Sequence, residues 1–101
     1  MMRVEPFGPV APISGFTDLD DAIRVANSLP YGLAAYGFTP SAARANILMR
    51  RLEAGILSIN HVGGSVVEAP SGGVKESGYG REGGVEGLEG YLVTKRVSHK
   101  L

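Results

Sequence analysis

The chain has 101 residues, 44% hydrophobic, 20% charged and 7% aromatic, a balance that excludes a disordered or fibrous polymer and sets one compact unit as the ceiling. Ten Lys plus Arg offset ten Asp plus Glu with no long run of either sign, which speaks against a nucleic-acid or anionic-membrane footprint. No apolar stretch approaches the roughly 20 residues of a membrane span, the Met1-Met2-Arg3 start lacks a signal's apolar region, and cysteine is absent; the expected setting is the cytoplasm, without disulfides, thiolate metal sites or thiol nucleophiles.

A chain this short buries only around two-thirds of the surface its unfolded form exposes, so association with a partner is expected to help it. Along the chain, Val10 to Phe16 reads as a short irregular or edge strand, because Pro9 and Pro12 withhold ladder donors. Thr17 reads as a helix cap, with Asp18, Asp20 and Asp21 complementing the helix dipole, and Leu19, Ala22, Ile23, Ala26 and Leu29 recurring at helical spacing until Pro30. This predicts a helix over 18–28. Leu33 to Phe38 is too short for a helix and reads as a buried strand. Thr39 and Pro40 open a second helix over 41–53, closed by Arg50 and Arg51 and by Gly55 as a left-handed stop. Ile56 to Ile59 is a further strand. The order strand, helix, strand, helix, strand predicts an α/β layer with 33–38 parallel to 56–59, joined by right-handed crossovers.

Ten of the fifteen glycines fall between Asn60 and Gly90, the composition of a functional or disordered loop, interrupted by a short helix near 82–89. Tyr91 to Ser98 then alternates like a strand. His61 and His99 lie far apart with no second ligand at metal-like spacing, so no metal site is expected.

Gly78-Tyr79-Gly80-Arg81-Glu82-Gly83 matches the G-x-G-x-x-G pattern of dinucleotide folds, but it follows the polar loop Lys75-Glu76-Ser77 instead of a buried strand, and too little chain remains for a βαβ unit. It reads as a structural turn. Glu5-Pro6-Phe7-Gly8-Pro9 holds a carboxylate and a ring in a segment that two prolines keep extended. A carboxylate can accept hydrogen bonds from both hydroxyls of a ribose and a ring can pack against a planar cofactor group; equally, the pair fits an exposed acid and a core Phe.

Taken with Tyr31-Gly32-Leu33-Ala34, Arg51-Leu52-Glu53-Ala54-Gly55 and the block Pro70-Ser71-Gly72-Gly73-Val74-Lys75-Glu76-Ser77-Gly78-Tyr79-Gly80-Arg81-Glu82, that segment resembles the C-terminal part of the NAD(P)-dependent aldehyde dehydrogenase family, whose blocks run E-x-F-G-P, Y-G-L-A, R-x-E-x-G and P-x-G-G-x-K-x-S-G-x-G-R-E in this order. The resemblance covers Glu5 to Ser98. It implies a partial catalytic domain over 1–90, with a short parallel sheet and two main helices, followed by an oligomerisation arm over 91–101. By the same resemblance, Glu5 binds the nicotinamide-side ribose of NAD or NADP and Phe7 packs near the nicotinamide. Segment 61–68, which includes Ser65, lines the substrate entrance. Ser71 stands where the family commonly has a tunnel-facing aromatic, which implies a wider, more polar tunnel suited to a semialdehyde. Lys75, Arg81 and Glu82 are expected to hold loops and pair charges, as charged groups tucked under loops usually do.

The family's reaction needs a cysteine thiolate to attack the aldehyde, and this chain has none; it also lacks the domain that cradles the cofactor. The chain alone is therefore expected to be inactive and to bind no cofactor by itself. Three roles follow: a C-terminal portion of an aldehyde dehydrogenase, a subunit of a split enzyme whose partner supplies the nucleophile, or a non-catalytic oligomerisation module. Segment 91–98 is expected to dock on a second copy, giving at least a dimer, with no nucleic-acid or membrane partner.

Overall fold

The computed structural model describes residue 4, residues 6–63 and residues 66–101. The first helix, α1 (Leu19–Ala26), starts where Asp18, in extended conformation, accepts a hydrogen bond from the Asp21 amide at 2.8 Å. The cap thus lies one residue beyond Thr17, since a carboxylate acceptor also favours the positive helix end. Asp21 and Arg24 pair at 2.5 Å on the exposed face. Ile23 alone among the described hydrophobic side chains is buried, at 3% exposure.

Ala34–Gly37 forms β2, within the strand expected over 33–38, while Tyr31–Gly32 forms an additional short strand, β1, ahead of it. The second helix, α2 (Ala42–Arg51), is capped by Ser41, whose hydroxyl accepts from the Arg44 amide at 3.3 Å; the Thr39 hydroxyl instead accepts from the Ser41 amide at 3.2 Å. Helix α2 ends at extended Leu52, and Gly55 is absent from the positive-φ residues, so its predicted role as a left-handed stop is corrected. Gly55 is required for space instead: a Cβ there would lie 1.8 Å from the Gly72 carbonyl oxygen.

Strand β3 (Ile56–Ile59) pairs in parallel with β2, Ala34 opposite Ile56 through Gly37 opposite Ile59, as the βαβ pattern requires. A second pairing, which the sequence does not announce, sets β4 (Val74–Lys75) antiparallel to β1, with Tyr31 opposite Lys75 and Gly32 opposite Val74. The expected short helix near 82–89 is a 3-10 turn over Glu86–Tyr91, tighter because Gly87 and Gly90 lower α-helical propensity.

Two predicted strands do not form. Residues 10–16 carry no ladder, consistent with the prolines that deprive it of donors. Residues 92–98 form no ladder among the described residues, with Val93 and Val97 at 92% and 74% exposure; alternation supplies a strand only where an edge is available.

The chain is more open than a compact domain of its length. The radius of gyration is 18.1 Å, whereas about 13 Å suits a compact domain of this length. The accessible surface of 8644 Å² exceeds by roughly 3,000 Å² the value of about 5,500 Å² expected for a compact monomer of this mass. Parallel strands are normally covered on both faces, yet Leu33, Tyr36 and Phe38 along the β2 segment are more than half exposed. No helix among the described residues is long and apolar enough to cross a membrane.

Candidate functional site

The site is assembled by close backbone approaches between the motif blocks. Gly32 sits where a Cβ would meet the Glu53 carbonyl oxygen at 2.4 Å and the Val74 side chain at 2.8 Å, and Gly55 meets Gly72 as described. The Tyr31-Gly32, Glu53-Gly55 and Gly72-Val74 blocks, scattered through the sequence, thus touch where only glycine fits. The Gly32 amide donates to the Ser77 hydroxyl at 2.9 Å, and the Glu76 amide donates to the Pro30 carbonyl at 2.9 Å.

Loop 70–82 is closed on itself. Ser71 and Glu82 exchange two backbone hydrogen bonds, both 2.7 Å, and Arg81 donates to the Gly73 and Gly80 carbonyls at 2.9 and 2.7 Å. Lys75, left-handed at φ 55°, donates to the carbonyls of Asn27 and Leu29 at 3.0 and 3.3 Å and pairs with Glu53 at 2.5 Å. Lys75 and Arg81 therefore hold loops, as the sequence reading expects. Arg81 does so through carbonyls, and Glu82 through its backbone.

Two side-chain anchors were missed from sequence. Asn27, just past α1, donates to the Arg51 carbonyl at 2.7 Å and accepts from the Glu53 amide at 3.0 Å, joining α1 to the α2–β3 connection. Asn60, left-handed at φ 62°, accepts from the Thr39 amide at 2.8 Å and donates to the Thr39 carbonyl at 3.0 Å. The available signal was an Asn at each element end; at Asn60 it also tolerates the left-handed backbone, whereas Asn27 is right-handed at φ −82°.

Two open clefts flank this frame. One, of about 1070 Å³, is lined by Pro6, Ile13, Leu29, Tyr31 and Leu33 among others. The other, of about 670 Å³, is lined by Ser71, Gly72, Tyr79, Arg81 and Glu82, again with Leu33; Leu33 and Ser77 border both. Ser71 thus lies in the second cleft, while the segment carrying Phe7 borders the first through Pro6. Phe7 is 87% exposed, its ring free to pack against a ligand. Glu5 and Ser65, the other two predicted site residues, lie outside the described residues.

Gly78, Gly80 and Gly83 have φ of 141°, 72° and 66°, and the G-x-G-x-x-G segment leads into no α-helix. It lacks the helix N-terminus that a pyrophosphate needs. His61 is exposed, and no group of three or more His, Asp or Glu among the described residues could hold a metal ion.

A sequence model of the aldehyde dehydrogenase family matches residues 1–97. The chain belongs to that family. The 4-(hydroxymethyl)benzenesulfonate dehydrogenase TsaD1 of Comamonas testosteroni is 56% identical over 95 residues, covering 94% of this chain and 20% of the relative. The non-phosphorylating aspartate-semialdehyde dehydrogenase of Halomonas elongata is 50% identical over 93 residues, 92% of this chain and 19% of the relative. A double mutant of betaine aldehyde dehydrogenase from Staphylococcus aureus, solved with NAD+, superposes at TM-score 0.87 and 43% identity, across 92% of this chain and 19% of that one. This aldehyde dehydrogenase segment thus spans about a fifth of the length of the curated relatives it matches, and its mixed α/β structure is a fragment of the family fold.

Proposed function

We propose that these residues form the C-terminal part of an NAD(P)-dependent aldehyde dehydrogenase that oxidises an aldehyde or semialdehyde to the carboxylate, with a partial catalytic domain over 1–90 and an oligomerisation arm over 91–101. The observation that carries this reading is the junction of the Tyr31-Gly32, Glu53-Gly55 and Gly72-Val74 blocks beside two clefts, on a chain with roughly 3,000 Å² more surface than a compact monomer needs. Such a surplus suits a core cut open, as in obligate interfaces.

Within that enzyme, Glu5 holds the nicotinamide-side ribose and Phe7 packs near the nicotinamide; its exposed ring supports the assignment. The cofactor, when bound, accepts hydride from the substrate carbon. Ser65 and Ser71 line the aldehyde's path. The sulfonate and semialdehyde in the names of the two curated relatives support a substrate with an anionic end. The nucleophilic thiol comes from outside these 101 residues, which contain no cysteine, either from the same polypeptide or from a partner chain. The exposed, alternating segment 91–98 supports a second copy as the partner that pairs with it, giving at least a dimer.

The test compares the 101-residue chain with a family-length enzyme that contains it, following NADH formation with succinic semialdehyde and benzaldehyde. The longer enzyme is expected to oxidise both, to need more NAD+ after Phe7→Ala, and to scatter light as a dimer or larger; the short chain is expected to do no chemistry. A family-length enzyme inert toward every aldehyde would overturn the reading, and micromolar NAD+ binding by the short chain in calorimetry would overturn its dependence on residues elsewhere.

A further inference from the structure

Two pairings meet at Leu33. Strand β1 pairs with β4 and β2 pairs with β3, and Leu33 stands between them in neither register. Its backbone is nonetheless held: the Leu33 carbonyl accepts from the Ile56 amide at 2.9 Å, and the Gly32 carbonyl from the Gly55 amide at 3.0 Å. Its side chain is 54% exposed and borders both clefts. The first cleft also carries Pro6, from the segment of Phe7, and the second carries Ser71.

The Gly32 amide has a side chain as its partner. Strand β4 stops at Lys75, where the backbone turns left-handed at φ 55°, and the following turn is closed by the Ser77 amide, which donates to the Val74 carbonyl at 3.2 Å. That turn sets the Ser77 hydroxyl 2.9 Å from the Gly32 amide, in a part-buried contact. Ser77 has little room to shift, since a Cβ on Gly73 would lie 2.5 Å from the Ser77 Cβ. Among the described residues, Ser77 and Leu33 are the two that line both clefts.

An aldehyde oxidation that passes hydride to a nicotinamide needs its two ligands in contact, so the border between their clefts must be fixed in place. We propose that Ser77 is a positioning residue for that border: its hydroxyl holds the Gly32 amide and thereby places the Leu33 side chain between the nicotinamide end of the cofactor and the aldehyde. The inference rests on the aldehyde dehydrogenase reading above, which gives the first cleft to the nicotinamide through the Phe7 segment and the second to the aldehyde through Ser71.

The test measures Ser77→Ala, Leu33→Ala and the double variant in the family-length enzyme. Ser77→Ala leaves the Gly32 amide without its acceptor and is expected to raise the NAD+ KM and the aldehyde KM about tenfold each. Leu33→Ala keeps the tether and removes the side chain it places, with an expected loss of about tenfold in the same two constants. The double variant should also lose about tenfold, because Ser77 acts through Leu33. ADP-ribose, which lacks the nicotinamide, should inhibit wild type and all variants equally within about twofold. A double variant whose loss is the product of the single losses, about a hundredfold, would overturn the proposal. So would ADP-ribose inhibition that weakens in step with the NAD+ KM, the mark of a merely structural role. Leu33 is more than half exposed, so its variant decides the matter even if Ser77→Ala fails to fold: unchanged KM values after Leu33→Ala overturn the proposal. A wild type that forms no NADH overturns the function reading itself, whereas a working wild type with indifferent variants overturns this inference alone.

Discussion

Gly55→Ala tests whether the junction of motif blocks sets the site. The added methyl would sit 1.8 Å from the Gly72 carbonyl oxygen, 2.9 Å from its carbon and 3.2 Å from the Gly73 Cα, all backbone atoms that no rotamer change can move. Ordinary contact begins at 3.4 Å, so reaching it from 1.8 Å requires a retreat of about 1.6 Å. Gly55 cannot supply that retreat cheaply, because its amide donates to the Gly32 carbonyl at 3.0 Å and the next residue starts β3. Loop 70–75 must move instead, against its pairing with β1 and the two 2.7 Å bonds between Ser71 and Glu82. Overpacking of this kind costs about 1–3 kcal/mol, and a misplacement of about 1 Å at a reacting site costs on the order of a hundredfold in rate. In a family-length enzyme, Gly55→Ala should therefore lower kcat/KM on aldehydes by about two orders of magnitude and lower the urea midpoint. Gly15→Ala is the control, since its Cβ would meet nothing within 4 Å. A Gly55→Ala enzyme within about twofold of wild type, with the same midpoint, would refute the reasoning.

Two side-chain tethers, Asn27 and Lys75, give further measurements. Asn27→Ala removes the bonds to the Arg51 carbonyl and the Glu53 amide and should cost about 1–3 kcal/mol in urea unfolding, whereas a distant exposed Asn such as Asn46 should cost about 0.5 kcal/mol or less. Lys75→Met keeps the aliphatic stem but loses the Glu53 pair and two carbonyl contacts. Its expected cost is about 1–2 kcal/mol, and the gap to wild type should narrow in high salt because the Glu53 carboxylate is 56% exposed.

Local physics made part of the fold legible. The bounds of β3 were read as 56–59, and both helices appear within two residues of expectation at each end, because apolar period, acidic first turns and Pro30 act within a few residues. What stayed hidden depends on contacts far apart in sequence. Nothing near Val74-Lys75 marks a strand, since a two-residue ladder exists only because Tyr31-Gly32 lies opposite. Conversely, residues 92–98 carry a strand's alternation and form none among the described residues, because alternation cannot provide an edge. Gly55 shows the same limit in one residue: composition suggested a glycine stop, and only the arrival of Gly72 shows that the missing side chain serves close approach. The family-like blocks pick out Phe7 and Ser71 as candidates, while the anchors Asn27 and Asn60 have no such signal, because their partners lie across the fold.

In the proposed enzyme, position 71 is where the frame can change without being rebuilt. Ser71 joins the loop clamp only through its backbone amide and carbonyl, each 2.7 Å from Glu82, so the fold at that point does not depend on which side chain it carries. The neighbours are constrained instead: a Cβ on Gly72 would lie 2.8 Å from the Gly80 carbonyl oxygen, and one on Gly73 would lie 2.5 Å from the Ser77 Cβ. Ser71→Phe, which restores the family's usual aromatic, should therefore leave the urea midpoint within about 0.5 kcal/mol of wild type, as for a substitution outside the packed contacts. It should nevertheless shift kcat/KM from succinic semialdehyde toward benzaldehyde by about tenfold, the scale on which apolar contacts discriminate substrates. Unchanged preference would remove Ser71 from the aldehyde's path, and a large loss of stability would show that the side chain, not only the backbone, belongs to the clamp.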